Sequence, residues 1–120
     1  MTEVFNAETW QKFLADYEDT HIWHEDFSGC VFEDCIFDST VRFERCKFRG
    51  AQFRGVVFDG NTIKDCTFAQ SVFVDCVMKN VTAETAMFSV ADLGNTKVFG
   101  GNFSHCDFFS TKSEKVVGAG

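Results

Sequence analysis

From Glu25 to Ser110 a large apolar residue recurs at every fifth position. The centres are Phe27, Phe32, Phe37, Phe43, Phe48, Phe53, Phe58, Ile63, Phe68, Phe73, Met78, Ala83, Phe88, Leu93, Val98, Phe103 and Phe108, which makes 17 units. Two residues before each centre stands a small one, from Cys30, Cys35 and Val41 on to Cys106, with Glu25 the single misfit. The other three places are mostly polar or Gly. One extra residue, Thr40, breaks the spacing between Phe37 and Phe43 and reads as a one-residue bulge at a corner.

A period of five fits neither an α-helix at 3.6 nor a strand at 2. Self-similarity at a short fixed period points to a solenoid. Two inward and three outward positions per unit describe a chain that turns a corner every five residues. Four corners close a coil of 20 residues, and stacked coils pair their backbones at about 4.8 Å. Each side of so narrow a tube holds one large and one small side chain. Rings of successive coils then stack in ladders. Outward residues 20 apart, or 21 across Thr40, become neighbours. This stacks Glu44, Lys64 and Glu84 in one column, with Arg45 over Asp65, Asp59 over Lys79, Asp26 over Lys47 and Glu33 over Arg54. Opposite charges across a ladder are favourable; Asp38 over Asp59 is the exception.

The pattern of small residue, polar residue, Phe, polar residue and any residue over 25–110 resembles the pentapeptide-repeat family. The resemblance implies an all-β fold, a right-handed quadrilateral parallel β-helix of about four coils. It leaves the function open, since the family holds many unrelated members. Longer members dimerise through their C-terminal ends. One branch resembles B-form DNA in shape and charge, binds type II topoisomerases and protects them from quinolones.

Residues 1–24 do not follow the repeat. Asn6 is placed to N-cap a short helix over Ala7–Asp19, with Trp10, Phe13, Leu14 and Tyr17 on one face. We read 1–24 as an α-helical cap over the open first coil, with a partner-binding helix as the alternative. Trp23 is expected to cover the top of the core. The segment 111–120 reads as a frayed C-terminal tail, although Phe108 and Phe109 would need cover, which a second copy would supply.

Composition changes this picture little. Sixteen Phe against a single Tyr suit a dry interior, and the absence of Pro suits a backbone whose N–H groups are needed between coils. The six Cys all sit at the small inward position, the usage expected of buried thiols in a reducing cytoplasm. The start of the chain lacks the basic and apolar run of a secretory signal, and no stretch has the 18 or so apolar residues of a membrane span.

Charge adds more. The net charge is −7, concentrated as an acidic surface in the first 40 residues. The one basic cluster, Arg42, Arg45, Lys47, Arg49 and Arg54, lies beside acidic coils and has no outward aromatic residues for base stacking, so no nucleic-acid partner is expected.

Candidate chemistry is sparse. His21 and His24 are three apart with no further ligands at fixed spacing, and no thiol is paired with a base, so no metal, cofactor or catalytic residue is expected. What stands out is apolar and outward. Ile36, Val57 and Val77 run down the third side, with Phe99 one coil further, while Val31, Val72 and Val74 lie on a neighbouring side. The stripe fits either a partner surface or the ordinary preference of β-branched residues for strands. With Phe108 and Phe109 it forms the candidate interface of a non-enzymatic protein-binding or scaffolding module. The alternative is a topoisomerase-binding DNA mimic. Four coils span only about 20 Å, and an end-to-end dimer about 40 Å, which matches about 12 base pairs.

Overall fold

The computed structural model describes residues 3–17 and 20–107 and the backbone of 117–118. It is a stack of about four square coils. Numbered along the chain and grouped by side, β1 (Val4–Phe5), β3 (Val31–Glu33), β6 (Gln52–Arg54) and β9 (Val72–Val74) form the second side. The third side is β4 (Ile36–Phe37), β7 (Val57–Asp59), β10 (Val77–Lys79), β12 (Lys97–Phe99) and β14 (Val117–Gly118). The fourth is β2 (His21–Trp23), β5 (Arg42–Glu44), β8 (Thr62–Lys64), β11 (Thr82–Glu84) and β13 (Asn102–Ser104). The first side is a chain of single parallel bridges, Asp26 to Lys47 to Thr67 to Met87 to Asp107.

All these strand pairings are parallel. Apart from β1, which pairs with β3 at an offset of 27 residues, the offset is 21 across Thr40, as in Ile22 with Phe43, and 20 afterwards, as in Phe43 with Ile63. At the insertion, Asp38 Oδ1 accepts from the Thr40 N–H at 3.0 Å and from its hydroxyl at 2.6 Å. The Asp38 carbonyl accepts from the Val41 N–H, so a side-chain-braced turn absorbs the extra residue.

Corners explain the period. Most residues two after a centre have a left-handed backbone, including Asp34, Arg45, Gly50, Gly55, Gly60, Asp65, Asp75 and Thr85. One such residue per unit redirects the chain without a loop, and Gly, Asn and Asp tolerate it best. Gly101 sits beside a corner at φ +95°, and a Cβ there would lie 2.5 Å from the Val81 carbonyl oxygen. The obstacle is backbone and cannot swing away. Gly101→Ala is therefore expected to lower the unfolding free energy by about 1–3 kcal/mol in urea denaturation.

The interior is a set of ring ladders. Phe5, Phe32, Phe53 and Phe73 stack at 5.2, 5.1 and 4.6 Å between centroids. Phe27, Phe48, Phe68 and Phe88 stack at 5.1, 4.6 and 4.9 Å. The small inward column Val41, Asn61, Val81 holds one anomaly. Asn61 is fully buried, and neither its Oδ1 nor its Nδ2 has a hydrogen-bond partner. An unpaired buried amide costs stability that an apolar side chain of similar size does not. Asn61→Val, matching its neighbours in the column, should raise stability by about 1–3 kcal/mol and with it the melting temperature.

The N-terminal segment joins the solenoid more closely than its sequence indicates. Val4–Phe5 forms a strand against β3, and Ile22 is as buried as any repeat centre. Helix α1 spans Ala7–Leu14, shorter than the expected Ala7–Asp19, of which residues 18–19 lie outside the described residues. A capping box between Asn6 and Thr9 starts it. Trp10 is wholly buried against Phe5, Phe32 and Phe37. It is therefore Trp10 that covers the core. Trp23 is 47% exposed, because alternation along β2 turns Ile22 inward and its neighbours outward. At the other end, Val117–Gly118 pairs with Lys97–Val98, where a frayed tail was expected. The open edge of β12 offers backbone partners that a free tail would lack.

Candidate interaction surface on the third side

The three-residue strands of the third side, β7, β10 and β12, each present two residues outward, one on either side of the centre. The first outward column is Ile36, Val57 and Val77, in register across β4, β7 and β10. Ile36 is 54% exposed, and the two valines are half-buried. The next residue in this column is Lys97, directly paired with Val77. Phe99 lies on the same side, but in the second outward column, paired with Lys79, which is paired in turn with Asp59. The expected stripe is thus three residues long, with Phe99 offset by one column, because a coil advances 20 residues and Phe99 is 22 from Val77. Phe108 and Phe109 lie outside the described residues.

Other sides break their apolar runs. On the second side Gln52 stands between Val31 and Val72, and Arg54 between Glu33 and Val74. On the first side Met87 is exposed but adjoins Thr67 and Asp107. The third side alone among these carries three consecutive apolar residues in one column. Beside its upper end, a hollow of ≈ 270 Å³ lies between the helix and the first coil, lined by Gln11, Leu14, Ala15, Thr20, Ile36, Asp38 and Thr40.

The titratable groups are mostly structural. Cys46, Cys66, Cys76 and Cys106 donate to the carbonyls of Ile22, Phe43, Phe53 and Ala83, the inward residues of the coil before. Burial pushes the thiols of Cys35 and Cys76 up to about 11. Hydrogen bonding with Cys46, together with burial, keeps Cys66 protonated well above the usual thiol range. All six cysteines are free thiols. Burial and a hydrogen bond to Glu25, at 2.6 Å, hold the Tyr17 hydroxyl above its ordinary value and tie the helix end to the first coil.

His21 is engaged at both ring nitrogens. Its Nδ1 accepts from Trp23 Nε1 at 2.9 Å, and Nε2 lies 3.2 Å from Glu44 Oε1. Among the described residues no three His, Cys, Asp or Glu side chains converge to hold a metal ion. The basic cluster is spread around one coil rather than gathered. Arg49 donates to Gln70, Arg54 to Gln52, and Lys47 pairs along the backbone with Asp26. The arrangement is built to present flat walls, and the sequence signal for the true neighbours of Val77 was the 20-residue offset itself.

A family model described as pentapeptide repeats (nine copies) matches residues 26–63. Among solved structures, a pentapeptide repeat protein (Rfr23) from the cyanobacterium Cyanothece 51142 is similar in fold, with a TM-score of 0.61 at 9% identity over 94% of this chain and 100% of that one. Full-length QnrB1, a plasmid-mediated fluoroquinolone resistance protein, aligns at a TM-score of 0.36 and 13% identity over 90% of this chain and 49% of that one, too distant to carry an argument. No curated protein sequence matches the chain. Among the described residues no helix is long and apolar enough to cross a membrane.

Proposed function

We propose that this chain, which belongs to the pentapeptide-repeat proteins, is a non-enzymatic module that binds another protein through its third side. The observation that carries the reading is the unbroken column Ile36, Val57, Val77 on a flat wall. Apolar side chains held in register on rigid strands lose little conformational freedom on docking, which favours their use as an interface core. The buried thiols and the doubly engaged His21 are accounted for by packing and hydrogen bonding within the solenoid. The acidic first coil would favour a partner with a basic rim.

The test is affinity capture from lysate of the native host with the wild-type protein and an Ile36→Ser/Val57→Ser/Val77→Ser variant. Recovery of the bound protein is expected to fall at least about tenfold, the effect of losing a central apolar cluster. Equal recovery with both, at matching circular dichroism, would reject the third side as the interface.

A further inference from the structure

The middle of the third side carries a pattern that is complementary to its own reversal. Its first column reads Ile36, Val57, Val77, Lys97. The second reads Asp59, Lys79, Phe99, with Asp38 preceding Asp59, just beyond the paired Phe37 and Phe58. The columns lie about 6.6 Å apart along the strands.

Consider a second copy turned by 180° about an axis parallel to the strands, passing between β7 and β10. Each column then faces itself upside down. Val57 meets Val77 of the second copy, and Asp59 meets Lys79; the symmetry makes each contact twice. At the ends the same reversal sets Ile36, 54% exposed, opposite Lys97 of the second copy, and Phe99, 37% exposed, opposite Asp38, so the matched contacts are the central ones. The other face-to-face dyad, parallel to the solenoid axis, would set Val57 on Asp59 and Val77 on Lys79, apolar groups against charge. Only the first arrangement sets valine on valine and opposite charges together at the centre of the wall.

We propose that the third side is a homodimer contact of this antiparallel, face-to-face kind. The proposal rests on the reading of that side as an interface and names its occupant, a second copy of the chain. For a molecule of 36 × 28 × 21 Å, one wall buries less than the standard interface area. At roughly 500 Å² per partner it belongs with weak, reversible contacts, with Kd on the order of 10–100 µM.

Sedimentation equilibrium of the full chain, from about 5 µM to about 1 mM to bracket that Kd, tests it with four samples. The wild-type protein should pass from monomer to dimer. Asp59→Lys and Lys79→Asp each place like charges across the dyad, and each alone should weaken association at least about tenfold. Mixed together, the two variants are complementary at both positions and should associate about as well as the wild type. Circular dichroism checks that each variant is folded.

A wild-type monomer throughout, single variants that dimerise like the wild type, or a mixture that stays monomeric would each overturn the proposal. The second outcome would place dimerisation on another surface, such as the C-terminal end. Failure here leaves the binding of a different protein to be decided by the capture experiment, which does not depend on self-association.

Discussion

Phe53→Ala is expected to cost about 3–5 kcal/mol of unfolding free energy, the range for truncating a fully buried ring in a core that cannot close over the cavity. Phe53 is wholly buried and has five ring neighbours. Phe32 and Phe73 stack on its two faces at interplanar angles of 6° and 9°. The backbone around it is pinned between coils on both sides, since β6 pairs with β3 and β9. The walls therefore cannot relax inward as a helix would. Phe103, half-buried in the last fourth-side strand, supplies the contrast. Its truncation should cost less than half as much, because less apolar surface returns to water. Urea denaturation of both variants measures this, and equal costs would contradict a core organised by the ladders.

The second large effect is a loss of stability in alkali. The thiols of Cys35 and Cys76 are pushed up to about 11 by burial, above the ordinary value of 9.0. A group whose pKa is raised by folding contributes fully below its unfolded value, and that contribution is lost as pH rises toward its folded value. Between pH 9 and 11 the unfolded chain releases both protons while the folded chain retains them. Stability should fall by about 1.4 kcal/mol per pH unit for each thiol across that window. Cys30, Cys66 and Cys106 are shifted in the same direction, Cys30 and Cys106 by burial and Cys66 chiefly by its hydrogen bond with Cys46.

A Cys35→Ala/Cys76→Ala variant isolates the effect. Ala already occupies the same inward place at Ala51, Ala86 and Ala91, all buried, so the fold should accept it. Its denaturation midpoint should decline less steeply with pH than the wild type's. Parallel declines would show that alkaline unfolding comes from other groups.

Some of this was legible from residue types alone. The coil length, the inward set and the charged columns all follow from the five-residue spacing, and Glu44, Lys64 and Glu84 do stack in register. In a solenoid the direction of each side chain is a local property, repeated at every corner, so periodicity reports it faithfully. The one-residue insertion at Thr40 was equally visible, because it shifts every later centre.

What tertiary structure alone decided lies where periodicity ends. Nothing in the spacing says that Phe5 crosses 27 positions to stack on Phe32, or that Trp10 and not Trp23 seals the first coil. Those contacts join segments far apart in the chain, and only closure of the core selects them. The third side shows the same division. That Ile36, Val57 and Val77 face outward could be read from the sequence, but which neighbours flank them, Lys97 below and the Asp59–Lys79 column beside, took the register of whole coils. Most inward residues announce themselves by being apolar, with Asn61, Ser71 and Thr96 the buried exceptions. Outward ones carry no such mark, and their meaning depends on what the fold sets next to them.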